Sequence, residues 1–340
     1  MERLQRSVYV LNRLFKILEN KKIPYCVLHC YENLFEKIYP DVDICIDRPN
    51  EKILDEIIWN ACFEIKCRVV QKLYYGIPNL IAYEIFNPAT LSKIVKLDFY
   101  TDNFGISWLS IPTNKLLEQK TMYKNIYRPD VLSEFMYLLI KRSYKGHILN
   151  SHWNKLNKIY RENPEKINKL VKKYFATSNN WLLSELFNAN HFERFSVLAK
   201  IRRSLWIKQI FLKPLKWLLI LFYQIIRIIK RIKNPTGIVI TILSPDGGGK
   251  SSVSKAATEK LLGCFRKAGY FHWRPGLLPQ LRILFAGKDK LENGVPVSYP
   301  HGPRKRNFIP SFLRWLYYSF DYIIGYYLKL LPMKIKTTAV

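Results

Sequence analysis

Acidic side chains are scarce in this chain of 340 residues, which has 26 Asp and Glu against 55 Lys and Arg and a formal net charge of +29. Intrinsic disorder is nevertheless excluded, because 49% of the residues are hydrophobic and only 24% are charged. At roughly 150 residues per domain, the length predicts about two domains. So large a positive charge predicts polyanionic partners, namely nucleotide phosphates, nucleic acid or an anionic membrane face.

The chain also lacks CxxC pairs and the features of a signal peptide. Its six cysteines are Cys26, Cys30, Cys45, Cys62, Cys67 and Cys264. All but the last lie among apolar neighbours near the N-terminus, which is typical of buried free thiols in a reducing compartment. The N-terminus begins with a charged amphipathic pattern and has no apolar core or small-residue cleavage site. These absences argue against secretion and predict a cytoplasmic protein.

Residues 1–125 have the pattern of an α/β domain. Apolar residues recur at helical spacing over residues 4–18. The predicted strands are residues 25–28, 43–46, 63–70, 80–86 and 94–100. Residues 126–200 then show helical periodicity with Lys-rich faces and no cluster of carboxylates or histidines that would indicate chemistry. We therefore predict a helical connector after the first domain.

The segment 201–234 has nine basic residues and no acidic one, interleaved with apolar and aromatic side chains. Its longest uncharged run, residues 217–226, has ten residues, which is fewer than the roughly 20 that a membrane-spanning helix needs. The pattern predicts a basic amphipathic helix that lies on an anionic membrane surface and is kinked at Pro214. A helix packed between domains, with its lysines reaching solvent, is the alternative and stays open.

Glycine is also sparse, with 14 residues in the chain, yet three glycines are consecutive at 247–249 within the domain predicted for residues 235–340. A β-branched apolar run at 237–243 precedes them and a helical pattern follows, so the expected order is strand, loop and helix. Backbone N–H groups in such a loop converge with the helix N-terminus on phosphates. The predicted nucleotide-binding residues are Ser244, Gly247, Gly248, Gly249, Lys250, Ser251 and Ser252.

Within this loop, Lys250 is expected to reach the β and γ phosphates of ATP, and the Ser251 hydroxyl to ligate Mg²⁺. Ser244 stands where the GxxxxGK[ST] pattern has its first glycine. The loop 244–252, with its Pro-Asp-Gly core, resembles that of the thymidylate kinase family of P-loop nucleoside monophosphate kinases. In that family a basic turn with Pro-Gly meets the acceptor, and residues 270–276 occupy the matching place.

The resemblance implies a parallel α/β P-loop kinase domain in which Lys250, Asp246 and Arg274 are the catalytic residues. Arg274 is a candidate for the acceptor phosphate because its planar guanidinium suits bidentate contact. The family's Asp-Arg pair at the end of the third strand has no counterpart after Lys250. We therefore expect the kinase-like domain to be incomplete, as in a truncated gene product.

A second constellation lies in the first domain. Asp41 and Asp43 are two residues apart at the start of a predicted strand, and Asp98 lies within another. Three carboxylates on two strands form a plausible Mg²⁺ site for nucleotidyl transfer, since hard oxygen ligands suit that ion. The pattern resembles that of the nucleotidyltransferase superfamily over residues 20–105, although residues 27–30 replace the family's glycine turn. His29 is a phosphate contact or a structural histidine.

These observations favour a cytoplasmic ATP-binding phosphotransferase that transfers the γ-phosphoryl group to a nucleoside monophosphate or a related phosphorylated small molecule. The alternative is a catalytically incomplete nucleotide-binding protein held at the inner face of the membrane by the segment 201–234. A nucleic-acid partner ranks third because no recognition module accompanies the charge. Homodimerisation stays open.

Overall fold

The structure is a computed structural model. It describes residues 2–39, 41–47, 53–75, 80–90, 92–101, 111–175, 180–190, 193–212, 214–245, 247–262, 264–265, 267–270, 277–279, 307–336 and 338–339. The chain divides into two compact units, Met1–Ile229 and Lys230–Val340.

A five-stranded mixed sheet forms the centre of the first unit. Its strands are β1 (Tyr25–Val27), β2 (Val42–Ile46), β3 (Arg68–Tyr75), β4 (Leu80–Asn87) and β5 (Ser92–Tyr100). The spatial order is β1-β2-β5-β4-β3, in which β2 and β5 are parallel and the other neighbours are antiparallel. The predicted α/β class is confirmed by this sheet and the helices around it.

Two helices accompany the sheet, α1 (Glu2–Asn20) and α2 (Leu54–Phe63). α1 confirms the helix expected from the apolar spacing, and its apolar residues Val10, Leu11, Leu14, Phe15 and Leu18 are buried. The strand predicted for residues 63–70 is wrong over its first half. The helix α2 continues to Phe63 because Ile57, Ile58 and Cys62 bury one helical face, and β3 begins only at Arg68.

The remainder of the first unit is mostly helical. A short helix α3 (Thr113–Glu118) and a hairpin of β6 (Lys120–Tyr123) and β7 (Ile126–Pro129) lead into it. The helices that follow are α4 (Val131–Lys145), α5 (Asn150–Glu162), α6 (Pro164–Tyr174), α7 (Asn180–Asn188), α8 (Glu193–Leu212) and α9 (Pro214–Lys233), the last of which crosses into the second unit.

Helix α4 is the most deeply buried of these, and both of its ends are capped. The Asp130 carboxylate accepts hydrogen bonds from the backbone N–H groups of Leu132 and Ser133. Gly146 ends the helix in the left-handed conformation, with a φ of 71°. Every residue from Ser133 to Ser143 is buried, including the charged ones. The core of the first unit therefore surrounds this helix on all sides.

Helix α9 begins at Pro214, so the proline starts a helix rather than kinking one. Its apolar side chains Leu218, Phe222, Ile225 and Ile229 follow helical spacing and are exposed. Among the described residues, no helix combines the length and the apolar character needed to cross a bilayer.

The second unit contains α10 (Lys250–Leu261), the two-residue strands β8 (Lys267–Ala268) and β9 (Thr338–Ala339), α11 (Phe308–Gly325) and α12 (Leu331–Ile335). A π-helical turn, Tyr326–Leu330, joins α11 to α12. β8 and β9 pair in parallel, and Leu278 N–H donates to Asp321 on α11.

The buried strand predicted for residues 237–243 is not formed. These residues have no regular secondary structure, and Leu243 is 88% exposed. A strand buried on both faces needs hydrogen-bonded neighbours, whereas in the described part of this unit the two short strands pair with each other. The backbone bond from Gly237 N–H to the Lys334 carbonyl, 2.8 Å, does not extend into a ladder among the described residues.

Candidate functional site

The three carboxylates predicted as metal ligands come together at the junction of β2 and β5. Asp43 and Asp98 are register partners in this parallel pair, so their side chains lie side by side on one face of the sheet. Asp41 precedes Asp43 by two residues. One carboxylate oxygen from each of the three lies within 4.8 Å of the other two.

Asp43 is fully buried, and one of its oxygens carries most of its contacts. The Oδ2 atom accepts a 2.5 Å hydrogen bond from the Tyr137 hydroxyl and lies 2.5 Å from His29 Nε2. It also forms an ion pair with the ammonium group of Lys141. The Oδ1 atom is buried and has no hydrogen-bond partner among the described residues.

The two buried carboxylates have different proton affinities. Burial by itself raises the pKa of Asp43, but Lys141 and His29 outweigh it and bring that pKa well below its usual range. Burial raises the pKa of Asp98 to about 6; Lys96, whose Nζ lies 2.8 Å from Oδ1, opposes the shift and the negative charge of Asp43 adds to it. Asp43 is therefore ionised, and Asp98 titrates in the mildly acidic range.

Helix α4 supplies residues to this site that the sequence analysis missed. Tyr137 and Lys141 are four residues apart, so they share one face of the helix and both reach Asp43. The predicted helical connector thus also places two side chains against a predicted metal ligand. A signal was available, because Lys141 directly follows the apolar stretch 135–140, in a helix that is otherwise suited to complete burial.

A second buried network attaches helix α5 to the same region. Glu134 on α4 accepts a 2.6 Å hydrogen bond from the Tyr31 hydroxyl and pairs with Lys155 on α5 at 2.5 Å. Burial raises the pKa of the Glu134 carboxyl, and Lys155 opposes that shift. Arg128 donates to the Tyr31 hydroxyl at 3.0 Å. These contacts hold the segment after β1 against α4 and α5.

Next to Asp43 lies a cluster of two histidines and a cysteine. His29 Nδ1 is 2.8 Å from Cys30 Sγ, and the rings of His29 and His152 meet edge to face with centroids 6.0 Å apart. Burial, together with Asp43, raises the pKa of Cys30 to about 11. Burial lowers the pKa of His152 to about 3, and the cation of Arg142 adds to that effect. The cysteine is therefore a thiol and His152 is neutral.

In the second unit, the loop and the helix of the predicted phosphate site are formed, but the strand predicted before them is not. Gly247 and Gly249 have φ values of 82° and 71°, which glycine adopts without steric cost. Helix α10 then begins at Lys250, with Ser251 and Ser252 exposed in its first turn. The Lys250 ammonium group donates to the backbone carbonyls of Ser244 and Pro245 at 2.7 and 2.8 Å.

The remaining predicted nucleotide-binding residues occupy the same corner. A Cβ atom at Gly248 would lie 1.9 Å from the Oγ atom of Ser244, so any side chain at position 248 would displace the serine hydroxyl. Asp246 and Arg274, which were predicted as catalytic residues, lie outside the described residues. Of the three predicted catalytic residues, Lys250 therefore lies among the described residues and the other two do not.

Compared with known proteins, the chain matches no protein-family model, no curated protein and no solved structure. The chemical groups of the two sites are therefore the basis for the function proposed below.

Proposed function

We propose that the chain is an ATP-binding phosphotransferase with a thymidylate kinase-like P-loop domain and a nucleotidyltransferase-like first domain. The observation that carries the proposal is the corner at residues 247–250. Two glycines with positive φ lead directly into the N-terminus of α10, where the helix dipole favours a phosphate group.

Different side chains of this corner would contact the phosphates of ATP and its Mg²⁺ ion. Lys250 would exchange its two backbone carbonyl partners for the β and γ phosphates, with little loss because the ammonium group keeps its hydrogen-bond count. The Ser251 hydroxyl would hold Mg²⁺, which neutralises charge on the phosphates when bound. Arg274 would bind the phosphorylated acceptor and Asp246 would be a further catalytic residue, as the family resemblance implies.

Nucleotide titration tests this proposal. We expect the chain to bind a fluorescent ATP analogue in the presence of Mg²⁺ and Lys250→Ala to weaken that binding at least about tenfold, since a charge-assisted contact contributes about 1.5–3 kcal/mol. Lys255→Ala is the matched control, because this exposed lysine lies on the same helix, five residues beyond Lys250. Equal and negligible affinity in the parent chain and in Lys250→Ala would contradict the proposal.

Group transfer is tested separately from binding. ADP formation from ATP would be measured with a panel of nucleoside monophosphates as acceptors. We expect one of them to increase ADP formation in the parent chain and in Lys255→Ala, and Lys250→Ala to abolish the increase. Binding of ATP without any acceptor-dependent ADP would favour the catalytically incomplete alternative.

The carboxylate cluster is proposed as the Mg²⁺ site of the nucleotidyltransferase-like domain. Its fit to a hard cation rests on the buried Oδ1 atom of Asp43, which has no hydrogen-bond partner in the described part of the chain, and on the nearby carboxylates of Asp41 and Asp98. Bound there, Mg²⁺ would neutralise charge on a triphosphate. Lys141 and His29 would keep the other oxygen of Asp43 fixed.

Binding of Mn²⁺, a paramagnetic substitute for Mg²⁺, tests this second site. Asp41→Asn is the variant of choice because Asp41 is only half-buried, so the buried ion pairs remain intact. We expect this variant to weaken Mn²⁺ binding at least about tenfold, since it removes one of three charged ligands. Asp47→Asn, close in the chain and outside the cluster, is the control. Equal Mn²⁺ affinity in Asp41→Asn and Asp47→Asn would contradict the proposed Mg²⁺ site.

A membrane-surface role is the second candidate, and a specific feature of α9 favours it. Leu218, Phe222, Ile225 and Ile229 expose one apolar face, while Arg227, Lys230 and Arg231 lie on other faces of the same helix. At about 1 kcal/mol per basic residue near an anionic surface, these charges would add to the burial of the apolar face in the headgroup region.

Sedimentation with lipid vesicles tests this candidate. Vesicles of phosphatidylserine and phosphatidylcholine would bind the chain in a salt-sensitive way, and vesicles of phosphatidylcholine alone would bind it weakly. Phe222→Ser should reduce binding to the vesicles. Phe63→Ser on α2 is the control and should not reduce it, although the two phenylalanines are similarly exposed, at 58% and 60%. Equal binding to the two vesicle types would argue against the electrostatic contribution.

A further inference from the structure

We propose that His29, Cys30 and His152 form a binding site for a transition metal ion of the zinc class, distinct from the carboxylate cluster. One ligand atom from each of the three residues lies within 4.8 Å of the other two. Tetrahedral zinc with Zn–N near 2.1 Å and Zn–S near 2.3 Å requires about 3.5 Å between ligand atoms. Small side-chain rotations would therefore bring the three together around one ion.

The orientation of His29 allows its Nδ1 atom to bind a metal ion. Its Nε2 atom lies 2.5 Å from the buried carboxylate of Asp43 and 2.9 Å from the Lys141 ammonium group, whereas its Nδ1 atom faces Cys30 Sγ at 2.8 Å. A histidine that binds a metal through one nitrogen commonly donates the N–H of the other to a carboxylate, which fixes the tautomer and orients the ring. Asp43 would thus be the positioning residue of this second site.

The backbone conformation of Cys30 fixes the position of its sulfur atom. Its φ is 63°, in the left-handed region, where a side chain with a Cβ costs roughly 1–2 kcal/mol relative to the right-handed form. Lys22, Lys66 and Lys124 share this region, so the conformation supports the site only together with the contact that it creates. At Cys30 the strained conformation holds the sulfur atom against the imidazole of His29.

His152 completes the set from helix α5. Its Nδ1 atom is buried and has no hydrogen-bond partner among the described residues, and Arg142 Nη2 approaches its Nε2 no closer than 3.4 Å. A neutral imidazole in that position has a lone pair available for a metal ion. Coordination would supply the strong partner that this buried nitrogen atom otherwise lacks.

The ligand set favours an ion that binds a thiolate. Two imidazoles and a thiol are ligands of zinc-class ions, whereas Mg²⁺ prefers oxygen ligands. A zinc-class ion forms a metal–sulfur bond as the Cys30 S–H bond breaks, and the proton leaves to solvent. The ion would then connect the segment after β1 to helix α5, with a fourth coordination position left for water or another ligand.

Cobalt titration of the full chain tests the site, since Co²⁺ replaces Zn²⁺ and its thiolate complexes absorb in the near ultraviolet. We expect one equivalent of Co²⁺ to produce a thiolate-to-cobalt band that Zn²⁺ abolishes. Cys30→Ser should lose the band, and His152→Ala should weaken cobalt binding at least about tenfold. The controls Cys264→Ser and His147→Ala should retain the band, since both residues lie outside the cluster.

The same variants separate this site from the carboxylate cluster. Asp41→Asn should leave the thiolate band unchanged, because Asp41 belongs only to the acidic group. Zinc should also raise the Tm of the parent chain and not that of Cys30→Ser. No thiolate band in the parent chain, or a band that survives Cys30→Ser, would overturn the proposal. So would a zinc-induced rise in Tm that is equal in the parent and Cys30→Ser chains.

Discussion

Lys141 on α4 and Asp43 on β2 form a buried ion pair between residues 98 positions apart in the sequence. Both side chains are almost completely removed from solvent. The hydroxyl of Tyr137 and the ring of His29 contact the same carboxylate oxygen, so its charge is compensated from three directions. A carboxylate on the sheet is thereby held by a helix that lies outside the predicted α/β domain.

Removal of Lys141 is expected to destabilise the first unit strongly. Lys141→Met leaves the charge of Asp43 buried with less compensation, and the expected loss in the free energy of unfolding is about 3 kcal/mol. The double variant Lys141→Met with Asp43→Asn should recover much of that loss, because it removes both charges together. Urea denaturation of the single and double variants measures this coupling, and simple additivity would contradict it.

The Tyr137 hydroxyl is expected to make its own contribution to the free energy of unfolding, separate from that of Lys141. Tyr137→Phe removes a 2.5 Å hydrogen bond to an ionised acceptor, and we expect the free energy of unfolding to fall by about 2 kcal/mol. Tyr160→Phe on α5 is the control, since its ring stacks on Phe187 while its hydroxyl has no hydrogen bond to the described residues. Equal effects on urea denaturation would mean that the bond to Asp43 contributes nothing specific.

Asp98 is expected to give stability an unusual dependence on pH. Its pKa is raised from 3.8 to about 6, so between those values the folded chain keeps a proton that the unfolded chain has lost. The contribution of Asp98 to stability is therefore fully present below pH 3.8 and is lost as the pH rises to about 6.

Asp98→Asn tests this dependence because the variant cannot titrate. The stability of Asp98→Asn relative to the parent should rise by about 3 kcal/mol between about pH 4 and pH 7. Urea denaturation of both chains at matched pH values measures the difference. A difference that is constant with pH would show that Asp98 has an ordinary pKa.

Gly146 is expected to resist substitution at the end of α4. Gly146→Ala would place a side chain at a φ of 71° and a Cβ at 3.3 Å from the Phe195 ring, so we expect a loss of at least about 1 kcal/mol. Lys145→Ala, one residue earlier and exposed in the helix, should be nearly neutral. Thermal unfolding compares the two, and a loss in Lys145→Ala as large as that in Gly146→Ala would contradict the explanation.

The first unit was largely predictable because its local patterns agree with its tertiary contacts. The apolar residues around Asp43 and Asp98 predicted both strands, and the two-residue spacing placed Asp41 and Asp43 together. The apolar stretch before Lys141 indicated that this lysine is buried. Its contact with Asp43 and the position of His152 were not predictable, because helical periodicity does not specify which helix face meets which strand. Spatial neighbours so distant in sequence leave no periodic signal.

The strand predicted for residues 237–243 is not formed, because there the local pattern and the tertiary contacts disagree. Its β-branched composition indicates a strand, but a strand exists only when neighbouring strands accept and donate its backbone hydrogen bonds. Gly237 finds one such partner in Lys334, and the described residues supply no further ladder. The glycine loop depends on local backbone freedom alone, so it adopts its positive φ values without the strand.

The sequence by itself determined the α/β class, the carboxylates of the two central strands and the glycine loop at the start of α10, because each depends on residues that are close in the chain. Only the tertiary structure decided that Lys141, Tyr137 and His29 meet at one oxygen of Asp43, and that Cys30 and His152 lie beside them. Those contacts bring together side chains from β2, α4, α5 and the segment after β1. Their geometry and their pKa values follow from burial and from charges that packing alone brings within a few ångströms.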